Sequence, residues 1–223
     1  MTSGLYVQAA AKFLLGVLLV GLLLFLPAGT IYFPAAWRLM GVLFLPMFVV
    51  GLVLAFKNPE LLRKRLDGKE TQREQSLVVK LSGLMFLAGF VIAGLDFRFG
   101  WSVLPDWVSW VASGLFLMAY LLYAEVLREN TYLSRKIEVQ EEQKVIDTGL
   151  YGIVRHPMYG ATILLFLSMP LILGSLPSFV IFLSYPAIIA KRIWNEEEVL
   201  ERGLDGYVAY KKKVRYRVIP FIW

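Results

Sequence analysis

The sequence predicts an all-α fold, a polytopic helical membrane protein of about six transmembrane helices with a C-terminal cytoplasmic amphipathic helix. Three observations carry this. Of the 223 residues, 58% are hydrophobic and only 18% charged, against roughly 45–50% and about 25% in ordinary soluble domains. The apolar residues gather in runs close to the roughly 20 residues that a helix needs to cross about 30 Å of hydrocarbon. The lysines and arginines, in turn, concentrate on alternate connections between those runs.

The first run, about 7–26, carries one charge, Lys12, and ends at Pro27-Ala28-Gly29. Small residues after an apolar run also mark a signal peptide. Here the charge lies inside the run and further runs follow, so it is read as a retained span. The second, about 35–56, contains Pro46, which an embedded helix tolerates when its neighbours satisfy the freed carbonyl. The third covers about 77–97 and the fourth about 107–127. After a polar stretch come 158–173 and 179–193, joined by Gly174-Ser175-Leu176-Pro177-Ser178, a composition suited to a tight helical hairpin. These last two runs are short for full spans.

Orientation follows from basic residues. Between spans two and three lie Lys57, Arg63, Lys64, Arg65, Lys69 and Arg73. Between spans four and five lie Arg128, Arg135, Lys136, Lys144 and Arg155. From Lys191 at the end of the sixth onward lie Lys191, Arg192, Arg202, the run Lys211-Lys212-Lys213, Arg215 and Arg217. The opposite connections offer Arg38 and Arg98. Both termini are therefore expected in the cytoplasm, and Trp37, Trp101, Trp107 and Trp110 form an aromatic belt near the outer ends. The net charge of +6 then reads as anchoring to anionic headgroups of the lipid bilayer, with no nucleic acid as partner. The absence of cysteine excludes disulfides, thiolate metal sites and a thiol nucleophile, and no metal site is expected.

Any chemistry with a water-soluble cofactor belongs on the basic face. His156, the sole histidine, sits between Arg155 and Pro157 just before an apolar run. Proline suits the first helical position, and the free N–H groups of a helix start favour an anion that Arg155 could also clamp. The alternative is an arginine anchored to lipid phosphate with His156 as an interfacial cap. Glu196, Glu197 and Glu198 follow the sixth run, and on a helix three consecutive residues point about 100° apart. At least one is therefore solvated. One could turn inward to accept hydrogen bonds from a ribose or ammonium, or all could pair with Lys191, Arg192 or Arg202. Tyr207 and Tyr210 share one side of a short helix, either as an aromatic wall or as a surface helix on the membrane. The run 211–213 reads as lipid-facing. There is no G-x-G-x-x-G, P-loop, H-E-x-x-H or nucleophile elbow. Lys80, Asp96 and Glu125 lie near the ends of spans rather than at mid-depth, which disfavours a transporter.

The series Gly149, Tyr151, Arg155, His156, Pro157, Tyr159, then a hairpin, then Arg192, Ile193, Glu196, Glu197, Leu200, Tyr207, Tyr210, Ile219 and Pro220 resembles the isoprenylcysteine carboxyl methyltransferase and phospholipid methyltransferase superfamily of integral membrane methyltransferases. The likeness covers about residues 129–220. It divides one integrated membrane domain into N-terminal transmembrane helices, 1–128, and a cofactor-binding region, 129–223. Family members often carry glycine two residues after the tyrosine of R-H-P-x-Y. Here Gly160 comes directly after Tyr159 and Ala161 follows, so a small residue is kept and close helix approach survives.

The resemblance implies S-adenosyl-L-methionine as cofactor, bound by Tyr151, Arg155, His156, Tyr159, Gly160, Glu196, Glu197, Tyr207 and Tyr210, with Arg155 and Glu197 as catalytic residues. It implies methyl transfer to a lipophilic or small-molecule acceptor reached from the bilayer, at the cytoplasmic face. The compact chain favours a prokaryotic inner membrane. Two other readings stay open: an NADPH-dependent enzyme similar to sterol reductases, and a non-catalytic scaffold or lipid-binding protein.

Overall fold

A backbone in hydrocarbon has no water to bond its N–H and C=O groups, so an apolar run closes on itself as a helix. The computed structural model, which describes residues 2–66, 73–130, 132, 139–140 and 142–223, follows that rule, and no strand occurs among them. Lys69, Arg135 and Lys136, counted above among the basic residues, lie outside the described residues.

Four helices are each long and apolar enough to cross a membrane: α1 (Thr2–Ala28), α2 (Pro34–Lys57), α4 (Arg73–Phe99) and α5 (Asp106–Glu129). The short α3 (Pro59–Leu66) follows α2. A 3-10 turn, Gly149–Gly152, leads to α6 (Pro157–Ile172), whose 16 residues extend only about 24 Å at 1.5 Å per residue. The next crossing combines α7 (Leu176–Phe182) with α8 (Ser184–Gly203), which together form a fifth apolar span. They part at Leu183 because Pro186 has no N–H to offer the carbonyl of Phe182. A seven-residue α9 (Tyr207–Lys213) completes the series. The protein is a polytopic helical membrane protein.

One boundary differs from the hydropathy reading. The sixth apolar run ends near 193, yet α8 continues to Gly203. Charge there marks the end of the apolar stretch and not of the helix, since glutamates and arginines are good helix formers and Glu198 pairs with Arg202 one turn on. That extra length carries the three carboxylates out of the bundle.

Consecutive crossings run in opposite directions, so the ends of α2, α5 and α8 and the start of α6 share one end of the molecule. At the other end, α1 meets α4 so closely that a Cβ on Gly94 would lie 2.6 Å from the Leu24 carbonyl oxygen, the close approach that small residues permit in lipid. Phe86 and Phe90 of α4 pack on Phe182. The outward faces are apolar: Leu14, Leu18, Leu45 and Val53 are all exposed, surface that lipid covers. Trp37, Trp101, Trp107 and Trp110 are exposed around the end remote from the α8 extension, with the Arg38 guanidinium 4.1 Å over the Trp110 ring.

Candidate functional site

Residues 142–152 lie over the bundle end and are held there by specific polar contacts. Glu129, the last residue of α5, accepts a hydrogen bond from the Leu150 N–H at 3.1 Å. Gly149 makes this possible. Its φ is +49°, and a Cβ at that position would collide with the Glu129 carboxylate. The 3-10 turn then brings Tyr151 inward, where its hydroxyl accepts from Asn130 Nδ2 at 2.9 Å and its carbonyl accepts from the Tyr210 hydroxyl at 2.7 Å.

His156 occupies the N-cap position of α6 with Pro157 next, as the sequence indicated. The chain's last ten residues run back across this helix start as a strap. The Arg155 N–H donates to the Tyr216 carbonyl at 2.9 Å and the His156 N–H to the Arg217 carbonyl at 2.8 Å. Val218 lies within 3.5 Å of where a Gly160 Cβ would stand. The small residue that follows Tyr159 therefore accommodates the strap.

Beneath the strap lies a buried charge cluster centred on Glu197, which is 3% exposed. Its Oε1 accepts from Arg155 Nε at 2.8 Å and lies 3.2 Å from His156 Nε2. Its Oε2 accepts from Arg217 Nε at 3.1 Å and lies 3.7 Å from Lys211 Nζ. Arg155 Nη1 also donates to the Val214 and Arg215 carbonyls at 2.7 and 2.8 Å. Arg155, read above as an anion clamp, thus commits its Nε and Nη1 to the chain itself.

Alongside this cluster an open cavity faces out of the bundle end. Asn130 and Tyr132 line it from the end of α5, and Gln143, Lys144, Val145 and Ile146 from the connecting segment. Tyr151, Arg155, His156, Met158 and Tyr159 come from the 3-10 turn and the start of α6. Arg192, Glu196 and Leu200 come from α8, and Leu204, Tyr207 and Tyr210 from α9 and its approach. The Tyr159 hydroxyl accepts from Arg192 Nε at 2.9 Å and donates to Glu196.

The three glutamates have separated as helical geometry requires. Glu196 faces the cavity, Glu197 is buried in the cluster, and Glu198 is exposed and paired with Arg202. Of the nine residues singled out from the sequence, Tyr151, Arg155, His156, Tyr159, Glu196, Tyr207 and Tyr210 line the cavity, whereas Glu197 and Gly160 stand behind its wall. Lys211 and Lys213 of the run 211–213 depart from the lipid-facing reading. Lys211 pairs with Glu201 and Lys213 with Asp147 at 2.7 Å, because α9 lies against α8 and the connecting segment. The Lys213 ammonium holds the Asp147 carboxyl below its ordinary range.

Burial pushes the Tyr151 hydroxyl up to about 12 and raises Tyr207 and Tyr210 as well, so all three are neutral donors at physiological pH. Among the described residues one buried side-chain polar atom has no hydrogen-bond partner, the Tyr207 hydroxyl.

A water-exposed cavity with one carboxylate, two further cations, several phenols and an apolar side at the end of a membrane bundle narrows the class of protein. Residues 107–205 match the phospholipid methyltransferase family. The match begins at the start of α5 and ends beside α9, so it takes in most of the cavity wall. It bears out the resemblance to the integral membrane methyltransferase superfamily. No curated protein matches the chain.

Several wall residues were not singled out beforehand. Gln143, Val145 and Ile146 sit in an aperiodic stretch where no pattern marks them. Arg217 grips Glu197 from 20 residues away, through a strap whose path is set by backbone hydrogen bonds. Arg192 was visible as a motif residue, and its contact with Tyr159 gives it a place in the wall.

Proposed function

We propose that the protein is an S-adenosyl-L-methionine-dependent methyltransferase that acts on a lipid-type acceptor at the cytoplasmic membrane face. The observation that carries this reading is the chemical makeup of the cavity within and beside the matched segment. Glu196 offers an acceptor for an ammonium or ribose hydroxyls. Arg192 and Lys144 provide cationic groups for a carboxylate. Val145, Ile146, Met158, Leu200 and Leu204 supply an apolar side for a purine. The unsatisfied Tyr207 hydroxyl also fits a site built around a polar ligand, since a buried hydroxyl without a partner costs about 1–3 kcal/mol.

The cofactor, when bound, supplies an electrophilic methyl on a sulfonium. The chain's own task is to bind, align and exclude water. Arg155 and Glu197 act as positioning residues: their pairing fixes the start of α6 and the strap, and so the wall that carries Tyr159 and His156. Glu196 is the carboxylate placed to take a proton from an amine acceptor, and Tyr159 holds it in place. A carboxylate acceptor needs no such base. The aromatic faces of the tyrosines suit a cationic ligand. Basic residues at this end orient it towards the cytoplasm.

The test is calorimetric titration of S-adenosylmethionine and S-adenosylhomocysteine into detergent-purified protein, with NADPH as the control ligand. Saturable binding of the first two and none of the third is expected. Binding of NADPH alone would replace this reading with a reductase; where the first two bind, turnover on phospholipid, prenylcysteine or small-thiol acceptors identifies the methyl acceptor.

A further inference from the structure

The strap ends in a turn that the fold does not cover. Ile219, Pro220, Phe221 and Ile222 are all exposed, Phe221 to 87% and Ile222 to 77%. In water such a group of large apolar side chains marks a surface that meets something else. The backbone points the same way. The Ile222 N–H donates to the Ile219 carbonyl at 3.2 Å, Pro220 takes the second position, and Phe221 has a φ of +66°. These are the marks of a type II turn, whose third position needs φ > 0 and therefore favours glycine. Phenylalanine stands there instead, strained by its Cβ. Its ring gains one tilted contact within the chain, with Tyr216 at 5.3 Å between centroids. Packing inside the fold thus does not account for phenylalanine at this position.

The base of the turn is fixed. Val218 is buried in the bundle core and Trp223 packs against it. The Trp223 N–H donates to the Ile219 carbonyl at 3.0 Å, and the Trp223 main-chain oxygen accepts from the Val218 and Ile219 N–H groups at 2.8 and 3.0 Å. The tip is therefore a short closed projection from the transmembrane bundle, continuous with outward faces that lipid covers. Lys212 and Arg215, a few residues before it, are exposed and suit anionic headgroups above an apolar tip. We propose that the turn 219–222 is a membrane anchor. Ile219, Phe221 and Ile222 enter the acyl boundary of the leaflet at the cavity end, and so seat the strap over the start of α6. The strap carries the Tyr216 and Arg217 carbonyls that accept from the Arg155 and His156 N–H groups. It also carries the Arg217 guanidinium, 5.8 Å over the Trp223 ring while its Nε bonds Glu197. Bilayer contact at one end of the strap thus holds the cavity wall at the other. The inference does not depend on which cofactor fills the cavity.

The chain has no cysteine, so Ile222→Cys provides a single thiol for a fluorophore, and Glu198→Cys on the exposed face of α8 provides the solvent reference. Both proteins are placed in phosphatidylcholine–phosphatidylglycerol vesicles. Quenching by a nitroxide near the headgroup end of a lipid acyl chain is compared with quenching by a water-soluble nitroxide. The label at 222 is expected to be quenched several-fold more by the lipid nitroxide, and the label at 198 by the soluble one. Equal access of the soluble quencher to both sites overturns the anchor. Shielding of the label at 222 from both quenchers, increasing with protein density, assigns the turn to a second copy of the chain and also overturns it. Phe221→Gly supplies an independent arm. Glycine suits the turn better, so a turn that only closes the strap becomes tighter, whereas a turn held by lipid loses its anchor. Hydrogen exchange at the Arg155 and His156 amides in the same vesicles should be several-fold faster in Phe221→Gly than in the unmodified protein. Unchanged or slower exchange overturns the role of the turn in seating the strap.

Discussion

Both ends of the helical bundle carry buried polar groups, yet they use them differently. At the end with the tryptophan belt, Asp96 accepts from the Ser102 N–H at 2.7 Å and from its hydroxyl at 2.8 Å, and that hydroxyl also accepts from the Leu176 N–H at 3.1 Å. Ser109 receives a hydrogen bond from Arg38 and donates to the Ile172 carbonyl. These contacts tie the turn after α4 to the starts of α5 and α7 and the end of α6. At the cavity end, Glu197 gathers two arginines and a histidine, Glu196 faces water, and one buried hydroxyl is unused. At the tryptophan end the Asp96 carboxylate is satisfied by the neutral donors of Ser102, and the Arg38 guanidinium reaches the Ser109 hydroxyl and the exposed Asp106. A network built around a ligand concentrates charge behind the wall and leaves valences open in front.

The contrast is broken most severely at its centre. Glu197→Gln removes the anion that Arg155, His156 and Arg217 share, and stripping one partner from a buried ion cluster costs about 3–5 kcal/mol. Asp96→Asn keeps one carbonyl oxygen for two neutral donors, and its cost should be about 1–2 kcal/mol. Chemical unfolding of the two variants in the same detergent provides the comparison. A loss in Asp96→Asn as large as that in Glu197→Gln would mean the two ends are energetically alike.

Next in size is the hinge of the cavity wall. Gly149→Ala must hold an alanine at a φ of +49°, worth about 1 kcal/mol, and must also push the Glu129 carboxylate away from the Leu150 N–H. Faster amide exchange is expected in the 3-10 turn and α9, which Tyr210 links, with none at the Asp96 end. Uniform acceleration would show that the wall does not fold as a local unit.

These positions also show what the sequence could and could not disclose. Apolar runs gave the crossings, since a membrane leaves a backbone little choice, and Pro157 marked the start of α6. Arg155, His156 and the glutamates were legible as a cluster because they recur at recognisable spacing. Which glutamate faces the cavity was not, since a helix separates consecutive residues by about 100° and only packing fixes the absolute rotation. The strap was unreadable for another reason. Its residues 214–217 engage Arg155 and His156 largely through carbonyls, and main-chain acceptors leave no trace in side-chain identity. The lysine run misled because a basic patch beside a membrane looks alike whether it meets lipid or Asp147 and Glu201.

A smaller effect sharpens the comparison through pH. Tyr151, Tyr207 and Tyr210 all sit at the cavity end, each raised by burial above the ordinary value of about 10, Tyr151 to about 12. Because the folded form resists ionisation more than the unfolded one, the stability this confers is fully present below about pH 10 and lost as pH rises towards 12. The cavity end should therefore loosen first in alkali, seen as protease cleavage near α9 before any change near Ser102. Simultaneous cleavage at both ends would count against separate stabilities.

The smallest expected effect belongs to Glu198, and its neighbours make it informative. Glu198 follows Glu197 directly, on the same helix, and forms an ion pair with Arg202. By residue type alone the two carboxylates are interchangeable, and only the motif resemblance set Glu197 apart. Both partners of the Glu198 pair are exposed, so water competes for each charge and salt screens the remainder. Glu198→Ala should change unfolding stability by no more than about 0.5 kcal/mol and leave S-adenosylhomocysteine binding as it was, while Glu197→Gln loses several times more. If the two substitutions instead cost the same, the rotation of α8 assigned here is wrong by about one residue, and Glu196 would no longer face the cavity.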